Sequence, residues 1–268
     1  MMKQGITGES AGFNRLVEIM RRLRAPGGCP WDAEQTHNSL KRYLVEECYE
    51  VIEAIDNNDA IHLKEELGDL LLQPVFHGVI AEGTGQFTID EIIDTICAKL
   101  IRRHPHVFGS MEICSSEEQI KYWEEIKQSE KKAPQASVLS GLPPGLPALL
   151  TAQKISEKAA RVGFDWEKTE HVMGKVREEL EELSQAIKSG NISYINWELG
   201  DLLFAIVNLG RFLNVNSEDA LRESIGRFTR RFSHIEETMR NKGIDLQDAT
   251  LEEMEILWTE AKHIEKKT

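Results

Sequence analysis

Apolar residues recur at helical spacing along most of the chain. Leu199, Leu202, Leu203, Ile206, Leu209 and Leu213 follow the i, i+3, i+4, i+7 rule. Val176, Leu180, Leu183 and Ile187 form a second stripe, and Val51, Ile52 and Ile55 a shorter one in the first half. Turn-forming residues separate the paired stripes: Asp56-Asn57-Asn58-Asp59 and Ser189-Gly190-Asn191. No run of residues alternates with the period of a strand. The pattern predicts an all-α chain, with a helical hairpin at the centre of each half and a further helix before and after it. Bundle-like packing of those helices gives two tandem four-helix-bundle-like domains.

The division between them is marked by proline. Pro134, Pro143, Pro144 and Pro147 fall close together, with Gly141 and Gly145 among them. Such a stretch reads as a linker. The expected boundaries are residues 1–132, a linker at 133–147, and residues 148–268.

The two halves also look like copies. Glu46-Glu47-Cys48-Tyr49-Glu50 matches Glu178-Glu179-Leu180-Glu181-Glu182. Glu66-Leu-Gly-Asp69-Leu-Leu is repeated without change at Glu198-Leu-Gly-Asp201-Leu-Leu. In each half 15 residues separate the last Glu of the first motif from the Glu of the second. The register is kept along with the residues.

Composition narrows the possibilities. The 268 residues carry 45 acids against 32 bases, a net charge of −13. A general nucleic-acid binder needs a basic face to displace counterions, so stable nucleic-acid binding is not expected. Anionic substrates remain open, because a cation held by carboxylates inverts the local field. No stretch approaches the ~18 consecutive apolar residues of a membrane span, and the polar start, Met1 to Ser10, has no apolar signal core. Cys29, Cys48, Cys97 and Cys114 form no Cys-x-x-Cys pair. A reduced, cytoplasmic setting is expected, with the thiols as small apolar fillers.

The doubled acids carry the chemistry. Positions i and i+3 share a helix face, so Glu47 points with Glu50, and Glu66 with Asp69. A hairpin brings both faces together. Four carboxylates then converge in each half: Glu47, Glu50, Glu66 and Asp69, or Glu179, Glu182, Glu198 and Asp201, flanked by Glu46 and Glu178. Packed anions raise one another's pKa, and a hard divalent cation relieves the cost. All-oxygen ligands favour Mg²⁺, with Mn²⁺ possible. A lone Glu-Glu-x-x-Glu is usually a solvated helix face; two copies in matched register argue for a site. Gly68 and Gly200 each cost a helix about 1 kcal/mol relative to Ala, and close helix packing is the expected reason.

Basic residues repeat as well. Lys99-x-x-x-Arg103 parallels Arg227-x-x-x-Arg231, followed by Trp123 and Lys127 in one half and Trp258 and Lys262 in the other. These can grip phosphate oxygens and stack on a base. The copies differ: Lys175 and Asn208 align with Tyr43 and Phe76, and Pro74, absent from the second copy, should kink its helix. The second half therefore offers more polar groups for a nucleotide.

These residues resemble the MazG family of nucleoside triphosphate pyrophosphohydrolases, whose pattern is Glu-Glu-x-x-Glu followed by Glu-x-x-Asp. Further matching stretches are Leu23 to Asp32 leading to Gln35-Thr-His37, Leu142 to Leu150, and Lys158 to Trp166. The resemblance spans nearly the whole chain. It implies the all-α NTP pyrophosphatase fold, Mg²⁺ dependence, and cleavage of nucleoside triphosphates, ATP among them, to monophosphate and pyrophosphate in nucleotide-pool house-cleaning or regulation. It also implies a homodimer with helices shared across the interface. Carried over by motif, the metal ligands are Glu179, Glu182, Glu198 and Asp201. The substrate-contacting set is Lys175, Arg227, Arg231, Trp258 and Lys262, and Glu178 is the acid left over for a proton. Arg227 stands where the family pattern leads one to expect Lys.

Two other readings compete. A di-iron carboxylate bundle uses Glu-x-x-His, and Glu34-Gln-Thr-His37 and Glu260-Ala-Lys-His263 have that spacing, although not at matching repeat positions. A non-catalytic nucleotide sensor or dimeric interaction module would suit the acidic charge, but has no need of clustered anions.

Overall fold

In a computed structural model, residues 12–110 and 137–265 are described, together with Ser115, Gln119, Tyr122 and Ile126. The chain divides into two compact units, Met1–Lys132 and Ala133–Thr268. Every regular element among the described residues is a helix.

The first unit contains α1 (Phe13–Arg24), α2 (Pro30–Glu34), α3 (Lys41–Asp56), α4 (Ala60–Gly83), α5 (Ile89–Arg103) and α6 (Pro105–Phe108). The hairpin of α3 and α4 is its centre, and α1, α2 and α5 flank it. Its core is built from Val17 and Met20 of α1, Leu40 before α3, Val75, Phe76, Val79 and Ile80 of α4, and Ile89 of α5. Burying such side chains contributes roughly 1.5–3 kcal/mol each. Gly78 is where α5 crosses α4, since a Cβ there would stand 2.5 Å from Ile89 Cγ1. Helix α4 runs on through Pro74 as one element of 24 residues, so Pro74 removes one backbone donor without ending the helix.

The second unit contains α7 (Ala148–Ala160), α8 (Thr169–Ser189), α9 (Ile192–Phe212), α10 (Ser217–Asn241) and α11 (Leu251–Glu265). Helices α8 and α9 form its hairpin, and α7 packs along α9. Ile235 and Met239 of α10 and Leu257 of α11 make a separate core, with Phe232, Met254 and Trp258 around it.

The hairpin turns follow from local chemistry. Helix α8 ends at Gly190, whose φ of 69° is left-handed and costs glycine little. The next residue, Asn191, caps α9 through Oδ1, which accepts from the backbone N–H groups of Ser193 and Tyr194. Asp59 caps α4 in the same way, accepting from Ile61 and His62. The turn therefore sets where each acid of α9 lies relative to α8.

Glycines 68 and 200 do not mark close packing within the chain, as the sequence had suggested. A Cβ at either would meet no atom within 4 Å. Trp123 and Lys127, the first-half counterparts of Trp258 and Lys262, lie outside the described residues, as do Cys114 and residues 133–136 of the expected linker. Among the described residues no helix is long and apolar enough to cross a membrane.

The α9 cap is measurable. Asn191→Ala should cost about 1 kcal/mol of folding stability, read as a lower midpoint in urea at unchanged slope.

Candidate active site

The i, i+3 spacing and the hairpin do bring the acids of the second unit together. Glu179, Glu198 and Asp201 offer carboxylate oxygens that lie within 4.8 Å of one another, and so do Glu178, Glu179 and Glu182. Glu179 belongs to both groups. It and Glu198 are buried, at 5% and 7% exposure, whereas Asp201 is open to solvent. Carboxylates are almost never this buried unless paired. Glu182 is held above the usual carboxylate range by partial burial and by the charges of Glu179 and Glu198.

Among the described residues the cation that pairs with this cluster is Lys175. Its Nζ lies 2.6 Å from Glu178 Oε1 and 2.7 Å from Glu179 Oε1, and those two hydrogen bonds raise the Lys175 pKa. One ammonium among five acids leaves most of the charge uncompensated. A donor set made only of carboxylate oxygens, crowded to within a few ångströms, fits a hard divalent cation.

The first unit repeats the arrangement in part. Glu47, Glu66 and Asp69 offer oxygens within 4.8 Å of one another, with Glu66 buried. Glu50 lies outside that triad but hydrogen-bonds Glu47. Burial, then Asp69, Glu50 and Glu66, push Glu47 up. The partner differs: Tyr43 stands at the register of Lys175, and His62 Nε2 instead reaches Glu66 Oε1 at 2.9 Å. The register of His62 in the second unit is occupied by Tyr194. That contact was missed in the sequence, although His62 and Glu66 are spaced i, i+4 on one helix.

The basic set forms a second group. Arg231 donates to Glu265 through Nε at 2.8 Å and through Nη2 at 2.7 Å, and its guanidinium lies 5.5 Å from the Trp258 ring centre. Trp258 packs on Phe228 and on the core shared by α10 and α11. Arg227 pairs with Glu223 at 3.3 Å, and Lys262 is exposed. Among the described residues no hydrogen bond or ion pair joins Arg227, Arg231 or Lys262 to the clustered acids of the same chain.

Other features carried no sequence signal. His37 and His77 stack in parallel, with Nδ1 atoms 2.7 Å apart. Burial and the neighbouring His37 lower the His77 pKa. His37 thus pairs with a second imidazole, which gives the di-iron reading no help. Arg211 forks onto Asp165, with Nη1 3.0 Å from Oδ2, and holds that carboxyl below its usual range.

Comparison with known proteins agrees with the geometry. The family model described as "MazG nucleotide pyrophosphohydrolase domain" matches twice, at residues 35–108 and 167–236. The "Nucleoside triphosphate pyrophosphohydrolase/pyrophosphatase MazG" of Thermotoga maritima is 49% identical over 250 residues, covering 93% of this chain and 95% of that protein. The "Nucleoside triphosphate pyrophosphohydrolase" of Escherichia coli K12 is 42% identical over 257 residues, covering 94% and 98%. That of Mycobacterium tuberculosis is 46% identical over 150 residues, covering 55% and 45%. The chain belongs to the MazG family, in its tandem all-α form. The two matched segments bracket the two acid motifs.

Crowding sets a pH dependence. Glu47 titrates above its ordinary value of 4.5 when folded. Its contribution to stability is therefore present below that value and lost as the pH rises through the raised one. In EDTA, Glu47→Gln should raise the thermal midpoint at pH 7.5 and leave it nearly unchanged at pH 4. Added Mg²⁺ should raise the wild-type midpoint at pH 7.5 and not at pH 4, where protonated carboxyls cannot ligate. Scanning calorimetry at the two pH values checks both.

Proposed function

We propose that this chain is a divalent-cation-dependent nucleoside triphosphate pyrophosphohydrolase, releasing a nucleoside monophosphate and pyrophosphate, and that the second unit carries the turnover. The observation that supports this most is the pair of buried carboxylates, Glu179 and Glu198, within 4.8 Å of Asp201 on a facing hairpin. No packing requirement explains three acids held so close. Family membership and the names of the relatives from Thermotoga and Escherichia supply the reaction.

Glu179, Glu182, Glu198 and Asp201 would hold the metal, with Mg²⁺ the natural choice and Mn²⁺ an acceptable one. When bound, such an ion withdraws charge from phosphate oxygens and acidifies water. The protein's own groups do the remainder. Glu178 is exposed and pairs with Lys175, so it is the acid best placed to take the proton from the attacking water. Lys175 sits one helical turn before Glu179, where it neutralises charge on the phosphates. Arg227, Arg231 and Lys262 offer further cations for the leaving pyrophosphate, and Trp258 an aromatic face.

A homodimer suits the same reading. Within one chain the Arg227–Arg231 group does not touch the acids. Leu180, Leu199, Leu203 and Ile206 on the hairpin are each more than two-fifths exposed, which is costly for a monomer's surface. A second copy would cover them. A cytoplasmic location, with neither membrane nor nucleic acid as a partner, completes the proposal.

The first unit is proposed to serve packing or regulation. Its acids form one close triad where the second unit has two that share Glu179, and His62 occupies Glu66. Asp201→Ala should lower turnover by roughly 10²–10³-fold, the range for losing a group that stabilises transition-state charge. Asp69→Ala should leave most of it. Pyrophosphate and orthophosphate assays on mixed NTPs measure this; equal losses would sink the division of labour, and orthophosphate with nucleoside diphosphate would sink the reaction. Hydrolysis in oxygen-18 water should place the label in one product alone.

A further inference from the structure

Beyond the acids, α9 continues into an open pocket. Glu198, Asp201, Phe204 and Asn208 lie at i, i+3, i+6 and i+10 along one side of the helix. Asn208 is about 10.5 Å beyond Asp201 along the axis. The pocket has a volume near 440 Å³ and is lined by Ile155, Phe164, Asp165, Trp166, Phe204 and Asn208, among others. That volume falls in the usual range for small-molecule sites. Three of its aromatic rings are left bare to water: Phe164 is 82% exposed, Trp166 43% and Phe204 42%.

The polar end of this pocket is oriented. Arg211 Nε donates to Asn208 Oδ1 at 2.8 Å. A guanidinium has no acceptor, so the atom facing it must be the amide oxygen, and the Nδ2 amino group takes the other edge. Arg211 is itself fixed by its fork onto Asp165, and Asp165 Oδ1 also accepts from the Trp166 backbone at 2.8 Å. The amide therefore has one orientation, with a hydrogen-bond donor at a pocket otherwise mainly apolar.

The first unit shows what such a space can hold. Phe76 occupies the register of Asn208 and is 4% exposed. Trp31 lies over it at 6.5 Å between ring centres and 28° between planes, and the Arg24 guanidinium is 5.4 Å from the Phe76 ring. The first copy fills with its own flat rings the place that the second leaves open, and it has no amide there.

Resting on the nucleotide reading above, we propose that the second-unit pocket receives the nucleobase and that Asn208 sets its preference. The Asn208 amino group donates to a ring oxo group and meets a ring amino group donor to donor. The enzyme then favours guanine over adenine and uracil over cytosine. Arg211 and Asp165 are positioning residues, acting through the Asn208 amide.

The experiment uses full-length protein with Mg²⁺ and compares kcat/KM for GTP against ATP and for UTP against CTP, by pyrophosphate release. The wild type should favour the oxo base of each pair at least about 10-fold, the scale of one good hydrogen-bond discrimination. Asn208→Asp keeps the Arg211 contact, replaces the donor with an acceptor, and should invert both ratios. Arg211→Leu frees the amide to turn and should bring both ratios near one. Ratios near one in the wild type, or ratios that Asn208→Asp leaves unchanged, would overturn the proposal. Quenching of Trp166 fluorescence by GMP and AMP, with Trp166→Phe as the control, reads the pocket without turnover. A GMP preference that Asn208→Asp inverts, in a protein releasing no pyrophosphate, would support the pocket while refuting the hydrolase. Circular dichroism confirms that each variant is folded; should Arg211→Leu unfold, the isosteric Asn208→Asp decides alone.

Discussion

Like charges are expensive to bury together, and most of this molecule's arrangement follows from that cost. Two helices joined by a tight turn present Glu179 and Glu198 to each other in a setting that excludes most water. In such a setting the repulsion between two carboxylates is several times what it would be in bulk solvent. The hairpin must therefore be held by something else, and the structure shows what. Asn191 and Gly190 shape the turn, α7 packs along α9, and Lys175 reaches back over one turn to two of the acids. None of these removes the charge. The site is stable enough to exist and charged enough to bind a cation, and that compromise is what makes it a site.

The same constraint explains why the two copies have diverged in the way they have. A cluster of acids can be relieved from inside or from outside. In the first unit the partner is a hydrogen bond on the same helix, with His62 against Glu66 and Tyr43 in place of the lysine. The space beyond the acids is filled there by Phe76 and Trp31. In the second unit Lys175 is half-exposed, and the space beyond is open. The first copy fills the space beyond its acids with its own rings; the second leaves that space open. The four clustered acids do not distinguish the copies, because the residues that differ are those between and around them.

That is also where sequence reading reaches its limit. The helical class, the paired hairpins and the convergence of the acids were legible, because each depends on residues close in sequence: period 3.6, i to i+3 spacing, and a turn of fixed length. The contacts that were not legible join residues far apart. Arg211 meets Asp165 across 46 residues and His37 meets His77 across 40, and no local pattern announces either. Trp258 shows the intermediate case. Its helix and its neighbour Arg231 were foreseeable, but only the structure reveals that the ring packs on Phe228 and the α10–α11 core. The glycines of Glu-Leu-Gly-Asp were misread for a related reason. Close packing was the natural expectation for a helical glycine, yet in this chain both face open space. If that face meets anything, it is outside the chain.

A net charge of −13 on the chain opposes a polyanionic substrate. The two units resolve it by concentrating the acids. A diffuse negative surface repels a triphosphate weakly and everywhere, and salt screens much of it. Clustered carboxylates repel it strongly, but only until a divalent cation is seated; the local sign then depends on the ion. Under the proposed function substrate affinity would be conditional on metal, with no need for a basic surface that would also attract nucleic acid. The few cations retained near the acids, Lys175 above all, then act at short range, where their geometry matters more than their number. Selection among bases cannot come from charge at all, since every nucleoside triphosphate carries the same phosphates. It has to come from a neutral, oriented group at some distance from the acids, and on α9 the amide of Asn208 is such a group.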